Sequence, residues 1–187
     1  MFKRQLLLTA VFIFSFTLLH AQHTISLLIN DTSGQVINKN IYGQFAEHIG
    51  RCVYDGLVHN GKIRMDVVEA LKKIKVPLLR WPGGCFADNY HWKDGVGSPD
   101  KRGNTLNIMW GMVPEDNSFG TDEFLDLCKM IGCEPYLAAN MGTGSPEEME
   151  DWIEYCNYTG NSDMAALRKA NGHADAYHVK YWGIGNE

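Results

Sequence analysis

No two cysteines in this 187-residue chain form a Cys-x-x-Cys pair. The five present, Cys52, Cys85, Cys128, Cys133 and Cys156, are odd in number and scattered, so at least one thiol is unpaired. That excludes the stapled framework of a small disulfide-rich domain. Lys and Arg never run beyond two in a row, and the formal net charge is −5. A surface that tracks phosphates needs clustered cations, so nucleic acid is not an expected partner. There is no His-x-x-x-His pair of the kind that holds zinc on a helix, and no metal is expected. A Gly-x-Ser-x-Gly elbow is also missing. So is a glycine-rich turn from the first strand into a helix, which a dinucleotide-binding sheet would need; no cofactor is expected. Internal repeats and low-complexity tracts are absent, which excludes a solenoid.

What is present begins with an unusual first segment, MFKRQLLLTAVFIFSFTLLHAQ. Lys3 and Arg4 precede an uncharged, largely apolar stretch from Leu6 to Leu19, then the small residue Ala21. About 14 such residues fall short of the ~20 that cross a bilayer. The pattern predicts a signal peptide over 1–21, export to the periplasm or beyond the cell, and no membrane attachment after cleavage. Asn30-Asp31-Thr32 and Asn157-Tyr158-Thr159 fit the glycosylation triplet, a pattern short enough to arise by chance.

After that segment, strand-like and helix-like stretches alternate. TISLLIN (Thr24–Asn30) and IYGQFAEHI (Ile41–Ile49) read as extended runs. In IRMDVVEALKKIKVP, Val67, Val68, Leu71 and Ile74 fall at helical spacing, and Pro77 stops the helix. LLRWPGG is the next strand; Cys85 to Ser118 is a long polar loop rich in aromatics. TDEFLDLCKMIG places Phe124, Leu127, Cys128 and Ile131 on one face and ends at Gly132, a left-handed stop. CEPYLAANM is a strand, and Ser145, Pro146 and Glu148 then form a capping box for a helix that buries Trp152, Ile153 and Cys156. HVKYWGIGNE gives a fourth strand. This alternation predicts an α/β fold with a parallel sheet.

Chemistry-bearing residues gather just past each strand: Glu47 and His48, Cys85 and Asp88, Asn140, then Asn186 and Glu187. Barrel enzymes place their chemistry at that C-terminal rim, so the expected fold is the N-terminal half of a (β/α)8 barrel. A whole barrel takes about 250 residues, so four strands are expected to be a fragment. Half a barrel leaves two strand edges open, and alone it is expected to fold poorly and to have no turnover.

Glu187 is the leading candidate. A carboxyl at a strand tip beside Tyr181 and Trp182 is partly desolvated, which keeps it protonated toward neutral pH as a general acid requires. Asn186 could bind a sugar hydroxyl, and Glu47, flanked by Phe45, Ala46 and Ile49, reads as an acceptor for a substrate hydroxyl. Arg80 could orient a carboxylate through its planar fork. Gly83 and Gly84 let the backbone approach a ligand closely. Trp81, Phe86, Tyr90 and Trp92 are either a sugar-stacking surface or the cover of a barrel end. Cys85 has no base that sequence can place beside it.

The blocks IYGQFAEHIGRCVYDGL, LLRWPGGCFADNYHWKDGVG, NSFGTDEFLDLCKMIGCEPYLAANMGTG and YWGIGNE resemble the alpha-L-arabinofuranosidases of glycoside hydrolase family 51. The resemblance runs from about Ile37 to Glu187. It implies a retaining hydrolase with Glu187 as catalytic acid/base, and with Glu47, Cys85 and Asn186 as substrate-binding residues. The position of Cys85 is often Asn in that family. Arg80, Asn140 and Trp92 are expected to support the site. The nucleophile is implied to be a second Glu on the seventh barrel strand, outside these residues. Residues 22–36 are implied to supply one strand of an accessory β-sandwich, and 37–187 the first half of the barrel. The implied partner is an arabinose-containing oligo- or polysaccharide such as arabinan or arabinoxylan, with room for a homo-oligomer of the whole protein. Another retaining barrel glycosidase, a xylosidase or endoglucanase, and a non-catalytic carbohydrate-binding relative are the alternatives.

Overall fold

A computed structural model describes residues 26–28 and 34–186. The expected leader over 1–21 and the ends of the Thr24–Asn30 run lie outside the described residues, and Ser26, Leu27 and Leu28 are exposed and belong to no element. In chain order the elements are β1 (Gln44–Phe45), β2 (Val58–His59), β3 (Lys62–Ile63), α1 (Met65–Lys73), β4 (Leu78–Trp81), β5 (Thr105–Asn107), β6 (Val113–Glu115), α2 (Thr121–Ile131), β7 (Glu134–Ala138), α3 (Pro146–Asn157), α4 (Asp163–Ala170) and β8 (Tyr181–Gly183). Short 3-10 turns lie at Lys39–Tyr42, Cys85–Asn89, Trp92–Gly95 and Pro99–Lys101.

The main sheet has the order β1-β4-β7-β8 with every pair parallel. Each crossover carries a helix, which is the arrangement of a partial (β/α)8 barrel. Register assigns the two faces. Phe45, Arg80, Tyr136 and Tyr181 stand in one row across the four strands. The neighbouring rows carry Leu79, Trp81, Leu137 and Trp182, which join the hydrophobic core beneath the helices. Alternation along a strand sends the Arg80 row to the opposite face, the one a closed barrel turns inward.

The core is built on aromatic rings. Trp81 is fully buried and stacks on Phe124 of α2, with centroids 5.2 Å apart and planes 19° apart. Trp92 lies parallel to Trp152 of α3 at 6.1 Å. Trp81, Phe86, Tyr90 and Trp92 are all buried, so they pack the space beneath the rim and present no stacking surface.

Local signals account for most boundaries. Gly132 ends α2 with φ of 83°, and its N–H reaches Cys128 O. The Ser145 side chain accepts from Glu148 N–H to start α3. The second half of that expected capping box does not form, because the Glu148 carboxylate turns to His91 instead. Ile74 lies just past α1 and is exposed rather than buried. The extended run expected over Ile41–Ile49 shrinks to β1: Asn38 accepts from Asn40 N–H and winds Lys39–Tyr42 into a 3-10 turn. The expected loop from Cys85 to Ser118 contains the β5–β6 hairpin, and a further helix, α4, starts at the N-cap Ser162.

Asp122, at the start of α2, is buried and accepts from Tyr177 Oη at 2.6 Å and from Tyr155 Oη at 2.9 Å. Desolvation raises its carboxyl above the usual range even though these hydroxyls favour the charge. A raised folded-state value means that its contribution to stability is present at low pH and is lost as pH rises through that value. Asp122→Asn should therefore gain stability relative to the parent as pH rises above the ordinary carboxylate range, read by urea denaturation of the full-length protein at each pH. An unchanged difference would contradict the assignment.

Candidate functional site

The rim residues separate into two groups. In the first, Glu47 follows β1 and is 6% exposed. Its Oε1 accepts from Phe86 N–H at 3.1 Å and from Trp110 Nε1–H at 2.8 Å. Its Oε2 accepts no hydrogen bond from the described residues. The glycines after β4 make this placement possible. A Cβ on Gly83 would lie 2.5 Å from Glu47 Cγ, and one on Gly84 would lie 3.1 and 3.2 Å from the two carboxylate oxygens. The close approach expected of these glycines is therefore to Glu47 itself. Cys85, exposed, opens the 3-10 turn whose second residue, Phe86, supplies the N–H.

Arg80 belongs to the same group. Its Nη2 donates to Gly83 O at 3.0 Å, to Asn186 O at 3.1 Å and to Asn186 Oδ1. Its guanidinium lies over the rings of Phe45 and Tyr136, 5.0 and 5.9 Å from their centroids. Arg80 thus ties the ends of β4 and β8 together through oxygens of Gly83 and Asn186, and its buried Nε has no partner among the described residues. Glu187 lies outside the described residues.

The second group faces α3. Asn140 Oδ1 accepts from Gly142 and Thr143 N–H, and Nδ2 donates to Tyr90 O and Thr143 Oγ1. Its amide is spent on closing the loop after β7. Trp92, buried, donates from Nε1 to Glu148 O at 2.9 Å. These two residues brace the rim loops, and neither hydrogen-bonds to Glu47 among the described residues.

The histidines disperse. His59 meets Asp55 on the surface, His91 meets Glu148, and His48 is buried against Glu115. No three His, Cys, Asp or Glu side chains converge among the described residues. Burial alone would raise the Glu115 carboxyl, but hydrogen bonds from His48 and Asn107 hold it below its ordinary range. The hairpin, which falls within the loop expected from Cys85 to Ser118, brings Trp110 to Glu47, while Asn107 and Glu115 bond His48 beside it.

The family model described as the alpha-L-arabinofuranosidase 1 domain matches residues 70–187. This chain belongs to the alpha-L-arabinofuranosidases of glycoside hydrolase family 51. It is 48% identical to an intracellular exo-alpha-L-arabinofuranosidase of Bacteroides ovatus, over 99% of this chain and 38% of that protein. It is 47% identical to alpha-L-arabinofuranosidase C of Emericella nidulans, over 92% of this chain and 36% of the relative. Among solved structures, the family 51 arabinofuranosidase of Xanthomonas axonopodis pv. citri aligns with a TM-score of 0.79 at 45% identity, covering 84% of this chain and 34% of that one. The arabinose complex of the Thermotoga maritima alpha-L-arabinofuranosidase aligns with a TM-score of 0.74 at 51% identity, covering 78% and 32%. The chain therefore spans about a third of the length of the arabinofuranosidases it matches.

One expectation is overturned. Export, read from Lys3, Arg4 and the apolar stretch after them, conflicts with the Bacteroides ovatus relative, which is named intracellular and aligns over 99% of this chain. A basic pair and a short apolar run are compositional features only, and they do not specify an address.

Gly83→Ala would press a methyl group into Glu47. It should cost about 1–3 kcal/mol of stability, the usual range for overpacking, read as a lowered denaturation midpoint. A neutral substitution would show that Glu47 does not need the bare backbone.

Proposed function

We propose that this chain supplies the acid/base half of a retaining alpha-L-arabinofuranosidase. In this reading it acts within a protein of its relatives' length, in which further strands close the barrel. Residues 22–36 then form a strand of an accessory β-sandwich, and 37–187 form the first half of the barrel. The observation that carries the reading is the division of labour on Glu47: one carboxylate oxygen is held by two protein N–H donors, and the other is left for a sugar hydroxyl.

The chemistry needs two carboxylates about 5–5.5 Å apart. A nucleophilic Glu on a later strand attacks the anomeric carbon and forms a glycosyl-enzyme ester. Glu187 protonates the departing glycosidic oxygen, then takes a proton from the water that breaks the ester. Asn186, held by Arg80 beside Glu187 in sequence, and Cys85, exposed beside Gly84, contact the sugar together with Glu47. The substrate is a terminal alpha-L-arabinofuranosyl group of arabinan, arabinoxylan or their oligosaccharides.

A panel of nitrophenyl glycosides on the full-length protein tests this. The alpha-L-arabinofuranoside should be the best substrate, and Glu187→Gln should cut kcat by about 10²–10⁴-fold, the usual contribution of general acid–base catalysis. Preference for a xyloside would reassign the substrate, and an unaffected Glu187→Gln variant would remove the acid/base role.

A further inference from the structure

A buried chain of hydrogen bonds runs from the core to Glu47, and one group sets its direction. The Trp81 indole N–H can only donate, and it meets His48 Nε2 at 3.1 Å. Nε2 therefore accepts, the ring proton sits on Nδ1, and that N–H faces Glu115 Oε2 at 3.4 Å. The other Glu115 oxygen accepts from Asn107 Nδ2 at 2.8 Å, and the same amide nitrogen donates to His48 O at 2.7 Å. With its nitrogen committed, Asn107 presents Oδ1 to the backbone N–H of Trp110 at 3.0 Å. The Trp110 indole then donates to Glu47 Oε1. His48, Asn107 and Glu115 are 3%, 1% and 6% exposed, so water does not stand in for a lost partner.

We propose that Asn107 and Glu115 are positioning residues for the sugar: they seat the Trp110 indole N–H on Glu47 Oε1, so that Oε2 alone meets the substrate hydroxyl. The proposal rests on the reading of Glu47 as a sugar-hydroxyl acceptor. Apolar burial does not locate the hairpin tip, because Leu106, Ile108, Met112 and Val113 are 45–61% exposed. The hydrogen bonds of Asn107 to His48 O and to Trp110 N–H do. Without them Trp110 is released, Glu47 Oε1 keeps only the Phe86 N–H, and both oxygens compete for the hydroxyl.

Direction makes the chain testable by isosteric change. Glu115→Gln places an N–H donor against either His48 Nδ1–H or Asn107 Nδ2–H. His48 cannot relieve the clash by changing tautomer, because Nε2 already accepts from Trp81. Trp110→Phe keeps an aromatic ring, though a smaller one, and removes the donor. In the full-length protein, each variant should raise KM for nitrophenyl alpha-L-arabinofuranoside about tenfold with kcat changed less than about threefold, the signature of lost substrate binding. Tm of Trp110→Phe should stay within about 2 °C of the parent. A purely structural role lowers Tm and the active fraction, with KM unchanged. Should Glu115→Gln fail to fold, Trp110→Phe carries the test alone. An unchanged KM in Trp110→Phe, with the parent turning over, overturns the proposal. A parent that does not hydrolyse the arabinofuranoside overturns the reading of Glu47, and the proposal falls with it.

Discussion

The site depends on one constraint: Glu47 is buried at the end of β1, and a buried carboxylate is costly unless donors meet it. Two consequences follow in the chain. The backbone after β4 must be bare where it passes Glu47, which Gly83 and Gly84 provide. A donor must also come from outside the sheet, which the Trp110 indole supplies. The parallel pairing of β1 with β4 brings these parts together, since it sets Phe45 beside Arg80 and carries the next residues alongside the glycine turn.

Trp81 links that site to the interior. Its ring packs between Phe124 and Trp152, while its one polar atom reaches His48. A substitution there would disturb the core and the orientation of the rim network together. The loops beyond Tyr90 are tied separately: His91 and Trp92 bond Glu148 in the first turn of α3, and Asn140 joins the loop after β7 to Tyr90 O. The rim is thus held from two sides, one facing the hairpin and the other facing a helix N-terminus.

What the sequence made legible follows the reach of each signal. The stop of α2 at Gly132 and the start of α3 at Ser145 are set by groups within a few residues, and both stand as read. Four parallel strands with chemistry after each were legible because strand, helix and rim residue repeat in order. The hairpin at 105–115 was not, because its apolar segment LNIMWGMV has no Asn-Gly or Asp-Gly turn, and its partners lie 59 residues away in His48 and 63 in Glu47. Glu148 shows the same limit in reverse: its local partner was a backbone N–H, yet the more distant His91 took the side chain. Trp92 and Asn140, expected as supporting residues, make their hydrogen bonds to the rim loops and the start of α3.

A crystal structure of the full-length protein with arabinose bound tests the central point most directly. The expected result is a sugar hydroxyl within about 3.2 Å of Glu47 Oε2, with Oε1 still held by the Phe86 and Trp110 N–H groups. Arabinose bound away from Glu47, or Trp110 turned off the carboxylate with the sugar in place, would contradict it.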